Sequence, residues 1–116
     1  MAATTLPHLT SPIPEILSYV ESELRKIYGE RFKGLYLYGS YARGDFRPGR
    51  SDLDLAFVLD QFESHFEEID RTGDMRVTIS LDHGLTLSLL PISEAELASD
   101  LRRLSRILQR EGVRIA

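Results

Sequence analysis

The sequence predicts an α/β fold, a small mixed β-sheet flanked by helices. Three observations support this prediction. Apolar residues recur at helical spacing after residue 13, short apolar runs within residues 35–59 are separated by glycine turns, and a capping box at Ser93 precedes a second amphipathic stretch. We expect a single domain over residues 13–116, preceded by a flexible N-terminal segment over residues 1–12.

Composition limits the classes of function. The chain has 116 residues, of which 42% are apolar and 28% charged, as in an ordinary globular domain. A net charge of -4 argues against direct nucleic-acid binding, and the lack of cysteine excludes disulfides and thiolate chemistry. No apolar run approaches the ~20 residues of a membrane span. We therefore expect a cytoplasmic protein with no membrane contact.

The first predicted helix begins at Ser11 and Pro12, a capping residue followed by a proline in the first turn. Its end is expected at Gly29. The apolar residues at helical spacing are Ile16, Leu17, Val20, Leu24 and Ile27. A strand follows, and its Tyr36 and Tyr38 are expected to form a wall of the site rather than a stacking platform for bases.

The middle of the chain is the most ambiguous part. Residues 71–82 contain Val-Thr-Ile, which favours a strand, whereas Met75 and Ile79 have helical spacing, so local pattern leaves both open. Leu85–Ile92 is predicted as a third strand. Because Pro91 cannot donate to a ladder, this strand either ends there or lies at a sheet edge.

The last predicted helix begins at the capping box of Ser93 and Glu96 and ends at Gly112. Its apolar face is predicted to comprise Leu97, Leu101, Leu104, Ile107 and Leu108. Its other face is basic, with Arg102, Arg103, Arg106 and Arg110. A solvated surface is the simpler interpretation of these arginines, and a docking surface for an acidic partner is the alternative.

The candidate site begins with G-S-Y-A-R-G-D at residues 39–45. Gly39 permits a sharp turn and the close approach of a ligand. Ser40 is expected to cap a short helix, whose first N–H groups favour an anion. Arg43 adds a fork of donors that suits phosphate oxygens. We call Gly39, Ser40 and Arg43 the phosphate seat.

Two aspartates follow in S-D-L-D-L at residues 51–55. Asp52 and Asp54 are two apart in a predicted strand, so their carboxylates point to the same face and suit Mg²⁺. Taken singly, a Gly-Ser turn and an Asp-x-Asp strand start are common structural devices. Their order and spacing favour a functional site.

Together these motifs resemble the signature of the minimal nucleotidyltransferases (MNT type) of the DNA polymerase beta superfamily. The resemblance implies the nucleotidyltransferase (polymerase beta-like) fold, with a helical crossover that favours helix over residues 71–82. It assigns nucleotide and phosphate binding to Gly39, Ser40, Arg43 and Ser51. It assigns catalysis and metal binding to Asp52 and Asp54.

The implied reaction is Mg²⁺-dependent transfer of a nucleoside monophosphate, AMP from ATP in the first instance, to a protein or small-molecule acceptor. Small members of this family occur beside HEPN-domain proteins as antitoxins, which implies a HEPN-domain partner. Homo- and hetero-oligomers both agree with the sequence. Relatives usually have a third carboxylate where this chain has Ser88, and Asp82 is the nearby substitute. The alternative is therefore a catalytically weak or inactive nucleotide-binding module that neutralises its partner by contact.

Overall fold

A four-stranded mixed β-sheet organises the protein, and the computed structural model describes residues 6–116. The strands are β1 (Phe32–Tyr38), β2 (Leu53–Leu59), β3 (Leu87–Ser93) and β4 (Val113–Arg114), in the order β3-β2-β1-β4. Strand β2 is parallel to β3, and β1 is antiparallel to β2 and β4. The predicted α/β fold with a small mixed sheet is confirmed. Proline does not end β3, which instead lies at an edge of the sheet.

Helices connect and cover the strands. They are α1 (Ile13–Tyr28), α2 (Ser40–Arg43), α3 (His65–Arg71), α4 (Gly73–His83), α5 (Glu94–Leu97) and α6 (Arg103–Glu111). The crossover from β2 to β3 passes through α3 and α4, and Met75 and Ile79 are buried on α4. The helical interpretation of residues 71–82 is confirmed. None of the helices within residues 6–116 is long and apolar enough to cross a membrane.

Helix α1 departs from the prediction in the cap at its start and in the burial of its last turn. The Ser11 hydroxyl donates to the Glu15 carboxylate at 2.5 Å and does not cap the helix, whose N-cap is Pro12. Ile27 was expected to be buried and is 40% exposed, because Tyr28 occupies the buried position in the last turn. The predicted end at Gly29 is confirmed, with φ 57°.

The segment before α1 contacts the body of the protein. Leu6 and Leu9 pack against the buried core, and the His8 ring forms a hydrogen bond with the Tyr41 carbonyl oxygen at 2.7 Å. Residues 1–5 of the predicted flexible segment lie outside the described residues. The domain boundary at residue 13 stays a prediction.

Two clusters of buried side chains lie on opposite faces of the sheet. The first contains residues of α1 and α4 together with Leu53, Leu55 and Phe57 of β2. The second contains Leu104 and Leu108 of α6 together with the alternate β2 residues Ala56 and Val58. Since side chains alternate along a strand, Asp54 points to the second face, the one that α6 covers.

The predicted last helix is two helices. The capping box is present, because the Ser93 hydroxyl accepts from the Glu96 N–H at 3.1 Å and the Glu96 carboxylate accepts from the Ser93 N–H at 2.9 Å. It begins only the four-residue α5, and α6 starts separately after Arg102. Leu101, predicted to be buried, is 87% exposed. Arg102, predicted to lie on the basic face of the helix, instead forms an ion pair with Glu96 at 3.0 Å. This contact holds the chain between the two helices.

Candidate functional site

The glycine turn after β1 lies directly against the second aspartate. The antiparallel register pairs Tyr38 with Asp54, which brings the turn beside the start of β2. Gly39 has φ 74°, and a Cβ built on it would lie 2.3 Å from Asp54 Oδ2. Glycine is therefore required here both for the backbone conformation and for the space that the carboxylate occupies.

The short helix after the turn differs in detail from the predicted one. Gly39, not Ser40, is the N-cap, because the chain reverses at its positive φ, and the Ser40 side chain makes no capping hydrogen bond. The N–H groups of Ala42 and Arg43 donate to the Gly39 carbonyl oxygen at 3.1 and 3.0 Å. These two N–H groups, which belong to the helix start predicted to bind an anion, therefore close the turn itself. Gly44 ends α2 in the left-handed region, with φ 90°.

The loop between α2 and β2 is held by its own contacts. The Tyr41 ring stacks on Phe46 with the ring centroids 4.3 Å apart. The Ser51 hydroxyl accepts from the Arg47 N–H at 2.8 Å. Ser51, predicted to bind nucleotide, therefore closes the loop that leads into the first aspartate.

The two aspartates form an electrostatically unfavourable pair at the mouth of β2. Burial raises the pKa of Asp54, and the neighbouring Asp52 carboxylate raises it further, against a lowering effect of Arg43. Two carboxylates held this close favour a cation between or beside them. Their hard oxygen donors fit Mg²⁺, which commonly binds one or two carboxylates together with substrate phosphates. Within residues 6–116, no group of three His, Asp or Glu side chains forms a complete metal site.

Side chains of three adjacent strands form a row at the level of Asp54. Tyr38 of β1 and Ser88 of β3 both pair with Asp54 in register. Burial, followed by the Asp54 charge, raises the pKa of Tyr38, so this hydroxyl stays neutral. Ser88 thus lies directly beside Asp54 on the neighbouring strand. Asp82 is exposed on α4, whose buried residues belong to the cluster on the opposite face, so the structure does not bring it into the row.

One site residue has no local sequence signal. The Glu111 carboxylate at the end of α6 accepts through Oε2 from the Gly39 N–H and from Arg43 Nη1, both at 2.9 Å. Arg43 also contacts Asp45 at 3.3 Å. Glu111 lies 72 residues from Gly39 in the chain, so no motif or periodicity links the two.

A separate cavity of about 450 Å³ lies at the other end of β2. Its lining is mostly acidic and contains none of the predicted site residues: Arg31, Asp60, Gln61, Phe62, Glu63, Glu67 and Glu68. The glycine turn and the aspartates, which lie at the first end of β2, therefore remain the candidate site on chemical grounds.

The sequence of this chain matches one known protein family. A profile of the family described as nucleotidyltransferase domain matches residues 17–114. No curated protein sequence matches the chain significantly.

The similar solved structures include the following three. One is a toxin-antitoxin with AMP-PNP, at 17% identity over 81% of this chain and 68% of that chain, with a TM-score of 0.56. Another is a mutant of the toxin-antitoxin MntA-HpeT, at 16% identity over 85% and 71%, with a TM-score of 0.56. A Sulfolobus solfataricus protein assigned as a nucleotidyltransferase has 20% identity over 86% and 72%, with a TM-score of 0.55. At these identities the likeness shows a shared fold.

Proposed function

The chain belongs to the nucleotidyltransferase domain family, whose profile matches residues 17–114, and from this premise we propose that it is a Mg²⁺-dependent nucleotidyltransferase. It transfers a nucleoside monophosphate, AMP from ATP in the first instance, to a protein or small-molecule acceptor. Its partner is a HEPN-domain protein, towards which it acts as the antitoxin of a HEPN/MNT pair. The proposal places this activity in the cytoplasm.

The observation that supports this proposal most strongly is the contact between the Asp54 carboxylate and the Gly39 turn. A side chain at Gly39 would collide with Asp54 Oδ2 at 2.3 Å, so phosphate-binding backbone and metal-binding carboxylate are immediate neighbours. Nucleotidyl transfer needs this combination, because catalysis depends on positioning the phosphates and neutralising their charge.

The residues of the site have distinct roles in the proposed reaction. Asp52 and Asp54 would hold Mg²⁺, which when bound neutralises phosphate charge and helps to align the attacking and leaving oxygens. Gly39 and Ser40 bind the β- and γ-phosphates, and Ser51 supports this binding from the adjoining loop. Arg43, exposed at the end of α2, binds the charge of the departing pyrophosphate.

No carboxylate lies beside Asp54 on the third strand to act as a general base for the acceptor hydroxyl. The row beside Asp54 offers Tyr38 and Ser88, both neutral hydroxyls at pH 7. Removing a general base typically costs about 10²–10⁴ in rate, so we expect slow transfer by the isolated protein. This row favours one alternative, a catalytically weak or inactive nucleotide-binding module that neutralises a HEPN-domain partner by contact.

The partner follows from analogy with the structural neighbours. Two of the similar structures are described as toxin-antitoxins, one of them with AMP-PNP. By this analogy the protein that binds this chain is also the one that receives the nucleotide. The same partner also fits neutralisation by contact.

The test incubates the protein with labelled ATP, Mg²⁺ and the HEPN-domain protein encoded by a neighbouring reading frame. We expect label on the partner. Asp52→Asn and Asp54→Asn should each lower transfer at least about 100-fold, since even outer-shell changes at metal sites cost 10–100-fold. Asp100→Asn, which removes an exposed aspartate before α6, is the control and should be unaffected.

The outcomes separate the two functions. Full transfer by either aspartate variant contradicts the site assignment. No label on the partner, with equal neutralisation by the wild type and by Asp52→Asn, supports the contact-only module instead.

A further inference from the structure

An internal oxyanion occupies the phosphate seat. The donors of this seat, the Gly39 N–H and the Arg43 guanidinium, both point to Oε2 of Glu111 at 2.9 Å. Backbone N–H groups at such turns and guanidinium forks bind phosphate and carboxylate oxygens alike. The Glu111 side chain is only 19% exposed and the Arg43 side chain is 48% exposed, so water reaches this contact mainly from the arginine side.

The backbone on both sides of Glu111 is fixed. On one side, Leu104 and Leu108 anchor α6 in the second buried cluster. On the other side, β4 pairs with β1 through Val113 and Leu37. The carboxylate is therefore held close to the seat at a high effective concentration, while rotation of its side chain alone can remove it.

A phosphate group and Glu111 cannot use this seat together. Oε2 takes the Gly39 N–H and one Arg43 nitrogen, two donors that a phosphate oxygen in the seat would also use. Both groups are also negatively charged. Binding of a nucleotide at the seat thus requires the Glu111 carboxylate to leave. The free energy of the lost Glu111 contacts is subtracted from the binding free energy of the nucleotide.

We propose that Glu111 is a built-in competitor of nucleotide, which holds the empty seat in its binding geometry and is displaced by the phosphates. This inference rests on the proposed function, because it takes the seat to be a nucleotide site. The apparent affinity for nucleotide equals the affinity of the free seat multiplied by the fraction of molecules in which the seat is free. A carboxylate that occupies the seat about 90% of the time weakens binding about tenfold.

The experiment measures binding of AMP-PNP with Mg²⁺ by calorimetry. We expect Glu111→Gln to bind about tenfold more tightly than the wild type. Glu111→Asp keeps the charge but is one methylene shorter, so it should lose the contact and also bind more tightly. Glu94→Gln removes the same charge from the exposed start of α5 and should bind as the wild type does.

Each result decides between distinct conclusions. Equal, measurable affinity in the wild type and both Glu111 variants overturns the competition and leaves the proposed function intact. Tighter binding by Glu111→Gln with wild-type binding by Glu111→Asp indicates a general charge effect and also overturns it. An absence of heat for every protein, the wild type included, removes the proposed function together with this inference.

A second measurement, hydrogen exchange, tests the Glu111 contact in the nucleotide-free protein. The Gly39 N–H donates to Glu111, so its hydrogen exchange should be slowed in the nucleotide-free wild type and faster in Glu111→Gln. AMP-PNP should restore slow exchange in the variant. Equal exchange of this amide in both nucleotide-free proteins would overturn the contact itself, provided that their thermal midpoints agree.

Discussion

Gly39 satisfies two requirements that no other residue type meets. Its φ of 74° lies in the left-handed region, and its missing Cβ leaves room for Asp54 Oδ2. Gly84 provides a comparison, since it has φ 64° but nothing within 4 Å of an added Cβ. Gly84, with ψ 25°, therefore shows the cost of a left-handed conformation in the absence of any clash.

Substituting each glycine should distinguish these effects. Gly84→Ala should lower the free energy of unfolding by about 1–2 kcal/mol, the cost of a left-handed conformation. Gly39→Ala should lower it by more, because its φ of 74° and ψ of -156° form a combination that is essentially confined to glycine. Only Gly39→Ala should also displace Asp54, and a misplacement of about 1 Å can cost about 10²-fold in transfer. Urea unfolding and labelled-ATP transfer measure the two effects. Unchanged transfer by Gly39→Ala would show that the carboxylate does not need its observed position.

Parallel pairing of β2 and β3 determines which residue completes the row beside Asp54. That residue is Ser88, and its side chain points to the same face as Asp54. We expect Ser88→Asp to raise Mg²⁺ affinity and any residual transfer, because it adds a charged ligand and a base at this level of the sheet. Titration with Mg²⁺ and single-turnover transfer measure both.

Two further variants check the assignment of this row. Ser88→Ala should leave Mg²⁺ affinity unchanged, and so should Asp82→Asn, which alters the exposed carboxylate on α4. Robust wild-type transfer that is lost in Asp82→Asn and retained in Ser88→Ala would place the third ligand on α4 instead.

The elements predicted correctly are those whose signals are local. Helical spacing predicted α1, and Gly29 marked its end. The capping box at Ser93 was also correct, yet it could not reveal how soon α5 would end. That break depends on Glu96, which accepts from Arg102 at 3.0 Å and whose carbonyl accepts from the Ser105 hydroxyl at 2.7 Å. Apolar spacing alone predicted one continuous helix across this break and therefore wrongly placed Leu101 on the buried face.

In the candidate site, too, the features with local sequence signals were predicted and those that depend on distant contacts were not. The turn at Gly39 and the adjacent Asp54 followed from a contiguous motif and strand alternation. Strand β4 has only two residues and no period, so its pairing with β1 had no sequence signal. Glu111 depends on that pairing for its position, and for this reason sequence reasoning missed it. The catalytic and binding roles assigned to the motif stay predictions.

A buried carboxylate links α1 to the crossover and affects the stability of the whole molecule. Glu68 on α3 accepts from the Tyr28 hydroxyl at 2.6 Å and from Arg71 Nε at 3.0 Å. Burial by itself raises the pKa of Glu68, but these two donors outweigh it and hold the pKa below its usual value. A lowered pKa in the folded state stabilises the protein above the unfolded pKa, and this contribution is lost as pH falls through the folded value.

Glu68→Gln should therefore lower the free energy of unfolding by about 1–3 kcal/mol at pH 7, the cost of weakening charged hydrogen bonds at a buried site. The difference from the wild type should begin to shrink as the pH falls below the ordinary pKa of 4.5, and it should close only below the lowered pKa of the folded protein, where the wild-type carboxyl is neutral as well. Urea unfolding at pH 7 and pH 3 measures it. Glu67→Gln, which changes its exposed neighbour, is the control; a difference that is no smaller at pH 3 than at pH 7 would contradict the electrostatic cause.

The order of the strands leaves β3 and β4 at the two edges of the sheet. An exposed strand edge is a template on which another chain can add a strand, the route to edge-to-edge aggregation. Here Pro91 interrupts the row of donors on β3, and β4 spans only Val113–Arg114. Neither edge within residues 6–116 offers a long, regular ladder. Assembly with another protein would therefore use helices and loops rather than a shared sheet.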